Sequence, residues 1–133
     1  MAITLTVGAT TINLPADLLW ADEFDWLPVE QTERRTITGA LVVSSAARLG
    51  GRPITLQPER DDCAWCARSV LEQAQAWAST PGQELTLVLR GVTRTVIWRH
   101  SERAISSTPI VHYDDTDPGD YYLATFRFLD VTP

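Results

Sequence analysis

A chain of 133 residues, 44% hydrophobic and 21% charged, is read most simply as one domain with a buried core. Its formal net charge of −6 argues against broad adhesion to nucleic-acid phosphates, which needs clustered positive charge. No apolar run approaches the roughly 18 residues of a membrane span, and two cysteines do not make a disulfide scaffold.

The N-terminal stretch MAITLTVGATTINLP has no basic n-region and alternates like a strand, so no secretory signal is expected and synthesis in the cytoplasm is. All eleven basic residues are arginine. Codon bias in a GC-rich genome is one account. Pairing at protein interfaces is another, because the guanidinium fork binds carboxylates through two hydrogen bonds.

Residues 3–14 alternate apolar with Thr and Asn on both sides of Gly8-Ala9-Thr10, which predicts an opening hairpin. Residues 15–31 are different. Asp17, Asp22, Glu23 and Asp25 interleave with Leu18, Leu19, Trp20, Phe24, Trp26 and Leu27. Neither period fits throughout, so a loop is expected, with a strand pairing near residues 27–30. Its aromatics either fold back on the domain or face a partner. Residues 32–45 alternate regularly and predict one strand, and residues 45–51 a tip carrying Gly50 and Gly51. The segment RPITLQ at 52–57 predicts a strand that begins at Pro53 or lies at an edge.

Residues 62–78, DCAWCARSVLEQAQAWA, predict the one long helix, with Cys63, Cys66, Ala67, Val70, Leu71, Ala74, Trp77 and Ala78 on its apolar side. Asp61 and Asp62 stand where carboxylates cap free amides. Pro81 and Gly82 end the helix. ELTLVL at 84–89 and VTRTVIWR at 92–99, joined by Arg90-Gly91, predict a tight hairpin. Residues 101–120 read as a long polar loop, and YYLATFRFLDV at 121–131 as the closing strand. About seven strands and one helix give a mainly β (α+β) domain over 1–133: an antiparallel barrel or sandwich flanked by the helix.

Catalytic patterns are sparse. Cys63-Ala-Trp-Cys66 would be redox-competent at a helix N-terminus, yet Asp61 and Asp62 would raise the thiol pKa, and two small buried residues are the plainer expectation. A zinc site would need Cys63, Cys66, His100 and His112 at a spacing unlike usual fingers. The acidic run 114–120 lacks the order of a calcium-binding EF-hand loop. No nucleotide-loop, GxSxG or HExxH motif occurs. No enzyme activity, cofactor or metal is expected.

One further pattern spans residues 3–131. GRPITL at 51–56 precedes a helix with Trp65 and Leu71. LTLVL at 85–89, a Gly turn, VIWRH at 96–100 and a Pro109-containing loop follow, before a final Tyr-x-x-x-Phe-x-Phe strand. This order resembles small tail proteins of long-tailed bacteriophages, of the distal tail or baseplate-hub type built on the tail-tube fold. The resemblance implies a tail-tube-like structural subunit that forms a ring, commonly a hexamer, around a DNA channel. The partners implied are other copies of the chain and the tube and hub proteins, with DNA passing through unbound. The location implied is the virion tail, assembled in the host bacterial cytoplasm. Head-to-tail rings need two different patches per subunit. Candidate contacts are Trp20, Phe24 and Trp26 in the acidic-aromatic loop, Arg48 at the tip, Arg52, and Asp114, Asp115 and Asp117 in the late loop. A monomeric small-barrel binding module, or a CxxC redox or zinc protein, is the alternative.

Overall fold

The computed structural model describes residues 3–47, 51–111 and 114–131. The elements run β1 (Ile3–Val7), β2 (Thr10–Leu14), β3 (Leu19–Trp20), β4 (Val29–Arg35), β5 (Leu41–Ala47), β6 (Arg52–Gln57) and β7 (Trp65–Ala67). After helix α1 (Arg68–Ala78) come β8 (Glu84–Leu89), β9 (Val92–Trp98), a 3-10 turn (His100–Glu102), β10 (Ile105–Pro109) and β11 (Tyr121–Asp130). The protein is mainly β with one helix, and every strand pair among the described residues is antiparallel.

The main sheet has the order β2-β1-β8-β9-β11-β6-β3 and branches at β11. The C-terminal half of β11 pairs with β6 (Phe126↔Leu56) and β9 (Phe128↔Trp98). Its N-terminal half pairs with β10 (Ser107↔Ala124) and β7 (Tyr122↔Cys66). The cause is length and alternation. Ten residues reach past any one partner, and Ala124, Phe126 and Phe128 all point into the core. Leu5, Ile54, Leu56, Leu85, Leu87 and Val96, one alternate face of each strand, meet them there. Trp98 stacks on Phe128 with ring centroids 4.8 Å apart.

The β8–β9 turn uses positive φ at both Arg90 and Gly91. That is the two-residue geometry whose twist matches the flanking strands.

Leu71, Ala74 and Trp77 are the buried stripe of α1, which packs on β2, β7 and β11. The helix starts later than expected. Residues 62–67 are not helical, and Asp61 and Asp62 do not cap it. Two tertiary contacts decide this. Trp65–Ala67 is taken up as a strand against β11, and the Ala64 N–H donates to Asp17 Oδ2 at 2.9 Å with Ala64 at φ +57°. The first helical amides then find backbone carbonyls instead of a side-chain cap: Arg68 N–H reaches Asp120 O at 2.8 Å and Ser69 N–H reaches Pro118 O at 3.1 Å. At the other end Ser79 Oγ donates to Gln75 O at 2.9 Å.

Two further expectations need correction. The single strand expected over 32–45 is the hairpin β4–β5, turned at Thr36 and Gly39 by Thr36 N–H to Ala40 O (2.8 Å) and Gly39 N–H to Thr36 O (3.0 Å). Gly39 takes φ +87° there, which a β-branched residue disfavours. The loop 101–120 contains β10, whose partner is β11.

Candidate functional site

The hairpin β4–β5 forms a sheet of its own, apart from the main one. Its strands are joined in register from Val29↔Ala47 to Arg35↔Leu41, and only Val42 is more than slightly buried. Period-two alternation puts Val29, Leu41, Val43 and Ala47 on one face, together with Gln31, Glu33, Arg35 and Ser45. Of the exposed large hydrophobic side chains, most lie between Leu19 and Val43, including Phe24 at 87% and Leu27 at 70% exposure. A two-stranded hairpin standing alone is marginal in water, and this concentration of exposed hydrophobic side chains suits an interaction surface.

The interface candidates separate into two kinds. Phe24 is fully presented, Trp26 is half-buried, and Asp114, Asp115 and Asp117 are exposed in a separate loop. Asp117 Oδ1 accepts the Gly119 N–H at 2.8 Å, which shapes that loop. Arg48 lies outside the described residues. Trp20 is 6% exposed, so this aromatic folds back into the core and offers no surface contact. Pairing of Leu19–Trp20 with Leu56–Gln57 draws it in.

Trp20 instead anchors an arginine cluster. The guanidinium carbons of Arg52, Arg94 and Arg90 lie 4.7, 5.0 and 5.6 Å from its ring centroid. Arg52 begins β6, Arg94 lies in β9 and Arg90 stands in the β8–β9 turn. Two carboxylates answer them. Glu23 pairs with Arg90, and Asp130 Oδ2 lies 3.6 Å from Arg94 Nε. Arg52 also donates to the Glu23 backbone carbonyl. Desolvation, and then the charge of Arg52, hold the Arg94 guanidinium below its ordinary pKa. Arg52 Nε, Arg94 Nη1 and Trp20 Nε1 are buried with no acceptor among the described residues. Each such donor costs about 1–3 kcal/mol if left unmade.

Arg90, Arg94, Glu23 and Asp130 were not legible as a group in the sequence. One signal was present: Arg94 shares a strand face with Val96 and Trp98, and Arg52 shares one with Ile54 and Leu56. A charge on an apolar face asks for a partner.

A second polar knot, around Arg99, is structural. Its Nη2 donates to Thr55 Oγ1 at 2.7 Å, and Asp22 accepts from both Thr55 N–H (2.8 Å) and Thr55 Oγ1 (3.0 Å). The knot ties the loop after β3 to β6 and β9.

Cys66 is 2% exposed and faces the core, where burial pushes its pKa up to about 11. Neither cysteine stands at the helix N-terminus, and the two are not joined. His112 lies outside the described residues, and among those described no group of three His, Cys, Asp or Glu side chains is placed to hold a metal. A groove of ≈ 440 Å³ lies between α1 and the 3-10 turn and is lined by Leu71, Gln75, His100, Arg103 and Ser107 among others. No described helix is long and apolar enough to cross a membrane.

No protein-family model, curated protein or solved structure matches this chain.

Proposed function

We propose that this protein is a structural subunit of a bacteriophage tail, a distal tail or baseplate ring component that surrounds the DNA channel and joins the tube to the tip. The observation that carries this is the hairpin β4–β5: seven-residue strands that pair only with each other among the described residues, with Val29, Leu41 and Val43 left exposed. Such an arm gains its stability from a neighbour. The order of elements along the chain supports the same reading, as does the acidic balance, since a channel for DNA must not hold phosphates.

The exposed side chains of Phe24 and Leu27, just before the arm in the chain, are assigned to the same contact. Asp114, Asp115 and Asp117 belong to a different patch, as a head-to-tail ring requires. The tube and hub proteins would take the ring's two open faces. Sedimentation of the full chain over a wide concentration range, followed by electron microscopy of the largest species, tests this. Closed rings are expected. A strict monomer that also fails to enter particles assembled with its neighbouring tail proteins would sink it.

A monomeric binding module is the second reading. The groove beside His100 and Arg103 favours it, since its walls mix polar groups with Leu71, Ala104 and Ile105 and could hold a small polar ligand.

A further inference from the structure

The hairpin β4–β5 ends in a well-bonded turn with an isoleucine at its apex. Thr36 N–H donates to Ala40 O at 2.8 Å, Ala40 N–H to Thr36 Oγ1 at 3.1 Å, and Arg35 Nη1 to Gly39 O at 3.2 Å. Ile37 stands fully exposed on this turn. A turn held this way presents its side chain at little ordering cost on binding. The charge beside it has one sign. Arg34 and Arg35 precede it, and no carboxylate occurs between Arg34 and Ala47.

A complementary groove lies at the start of β11. Trp65, Ile110, Val111, Gly119, Asp120 and Tyr121 line an open space of ≈ 260 Å³. That is below the roughly 300–1,000 Å³ of small-molecule pockets and suits a single branched aliphatic side chain. The Trp65 and Tyr121 rings have centroids 5.8 Å apart, and Trp65, Val111 and Tyr121 are exposed. The Trp65 indole N–H is already given to Asp61 O at 3.0 Å, so the rings offer apolar surface. The rim is acidic. Asp117 Oδ1 accepts the Gly119 N–H and Asp120 Oδ2 accepts the Asp117 N–H at 3.0 Å, which ties both carboxylates to the groove's edge. Four aspartates and no arginine lie between Ile105 and Phe126. Arg68, whose N–H binds Asp120 O, has its guanidinium engaged by Glu72 and Tyr122.

We propose that Ile37 of one copy seats in the Trp65–Tyr121 groove of the next, with Arg34 and Arg35 set against Asp117 and Asp120. Knob and groove are different patches, as a head-to-tail contact needs. The inference rests on the reading of β4–β5 as an assembly arm and names where the arm's tip goes. One side chain and its flanking charges make a small contact, so the pairing by itself has a Kd on the order of 0.1–1 mM.

Two full-length variants test it. Ile37→Asp lacks the knob and, ¹⁵N-labelled, serves as acceptor. Val111→Arg fills the groove, opposes its charge and serves as unlabelled donor. Both positions are exposed, and an amide spectrum of each variant reports its fold. Adding donor up to about 1 mM should move the acceptor's Trp65 indole N–H and its Gly119 and Tyr121 amides saturably. A donor carrying both changes should leave them unmoved. Arg34→Glu in the donor should weaken the apparent affinity about fivefold, and the difference should shrink as salt is raised. Shifts that persist with the double variant, or no saturable shift at these residues, overturn the pairing. Rings formed equally well by the parent and by Ile37→Asp overturn it too, while leaving the assembly role standing. Saturable pairing in a chain that never closes rings keeps the contact and removes the ring.

Discussion

The guanidinium of Arg94 lies 5.0 Å from the ring centroid of Trp20, on the strand face that also carries Val96 and Trp98 into the core. An arginine there covers apolar surface with its stem and holds its charge over the indole. Burial and Arg52 disfavour that charge, while Asp130 and Glu23 favour it.

Arg94→Met keeps the stem and removes both the crowded charge and one unanswered donor. Its stability should therefore stay within about 1 kcal/mol of the parent, although Asp130 loses a partner. Arg94→Ala also loses the packing and should be about 1–2 kcal/mol worse than Arg94→Met. Urea unfolding measures the difference, and equal losses in the two variants would place the interaction wholly in the charge.

Cys66 gives a pH dependence with a definite sign. Its folded pKa, about 11, lies above the ordinary thiol value of 9.0. The folded state therefore holds the proton more tightly. Below pH 9 the thiol is protonated in both states and costs nothing. Between about pH 9 and 11 the unfolded chain ionises first, and stability falls by about 2–3 kcal/mol. Cys66→Ala should lose that alkaline slope in unfolding experiments run at several pH values. In the native protein a small alkylating reagent should modify Cys63 well before Cys66.

Phe126 ties together β6 and β10 through a single strand position, pairing with Leu56 on one side and Ile105 on the other. It is fully buried. Phe126→Ala should cost about 3–5 kcal/mol, enough to leave a domain of ordinary stability barely folded. Thermal unfolding of this variant beside the surface control Thr86→Ala separates core loss from general sensitivity.

Leu41 and Val43 stand exposed on the hairpin face. Replacing Leu41 with Asp and Val43 with Lys, which face Arg35 and Glu33 across the hairpin, should leave monomer stability within about 1 kcal/mol, because the new charges are paired and neither position belongs to the core. Under the assembly proposal the same change abolishes rings. Sedimentation of the double variant against the parent measures this, and unchanged assembly would remove the hairpin from the contact.

What the sequence determined by itself was set by short-range physics. Period-two alternation marks β1, β2, β6, β8, β9 and β11, because a half-buried strand must point every second side chain into the core. Gly8 and Arg90-Gly91 mark turns because the backbone there needs positive φ. Leu71, Ala74 and Trp77 show the helix through their spacing. The apolar, acidic character of residues 19–29 was equally legible, though not that Trp20 turns inward while Phe24 stays out.

Tertiary structure decided whatever depends on a distant partner. Trp65–Ala67 reads as helix in its own context and becomes a strand because Tyr121–Leu123 offers unpaired backbone groups. β10 exists for the same reason, its sequence ISSTP lacking a decisive period. The arginine cluster draws on β3, β6, β9, β11 and two turns, so no window of the chain contains it. Local sequence sets which conformations are cheap, and a backbone hydrogen bond or a counter-charge brought from fifty residues away chooses among them.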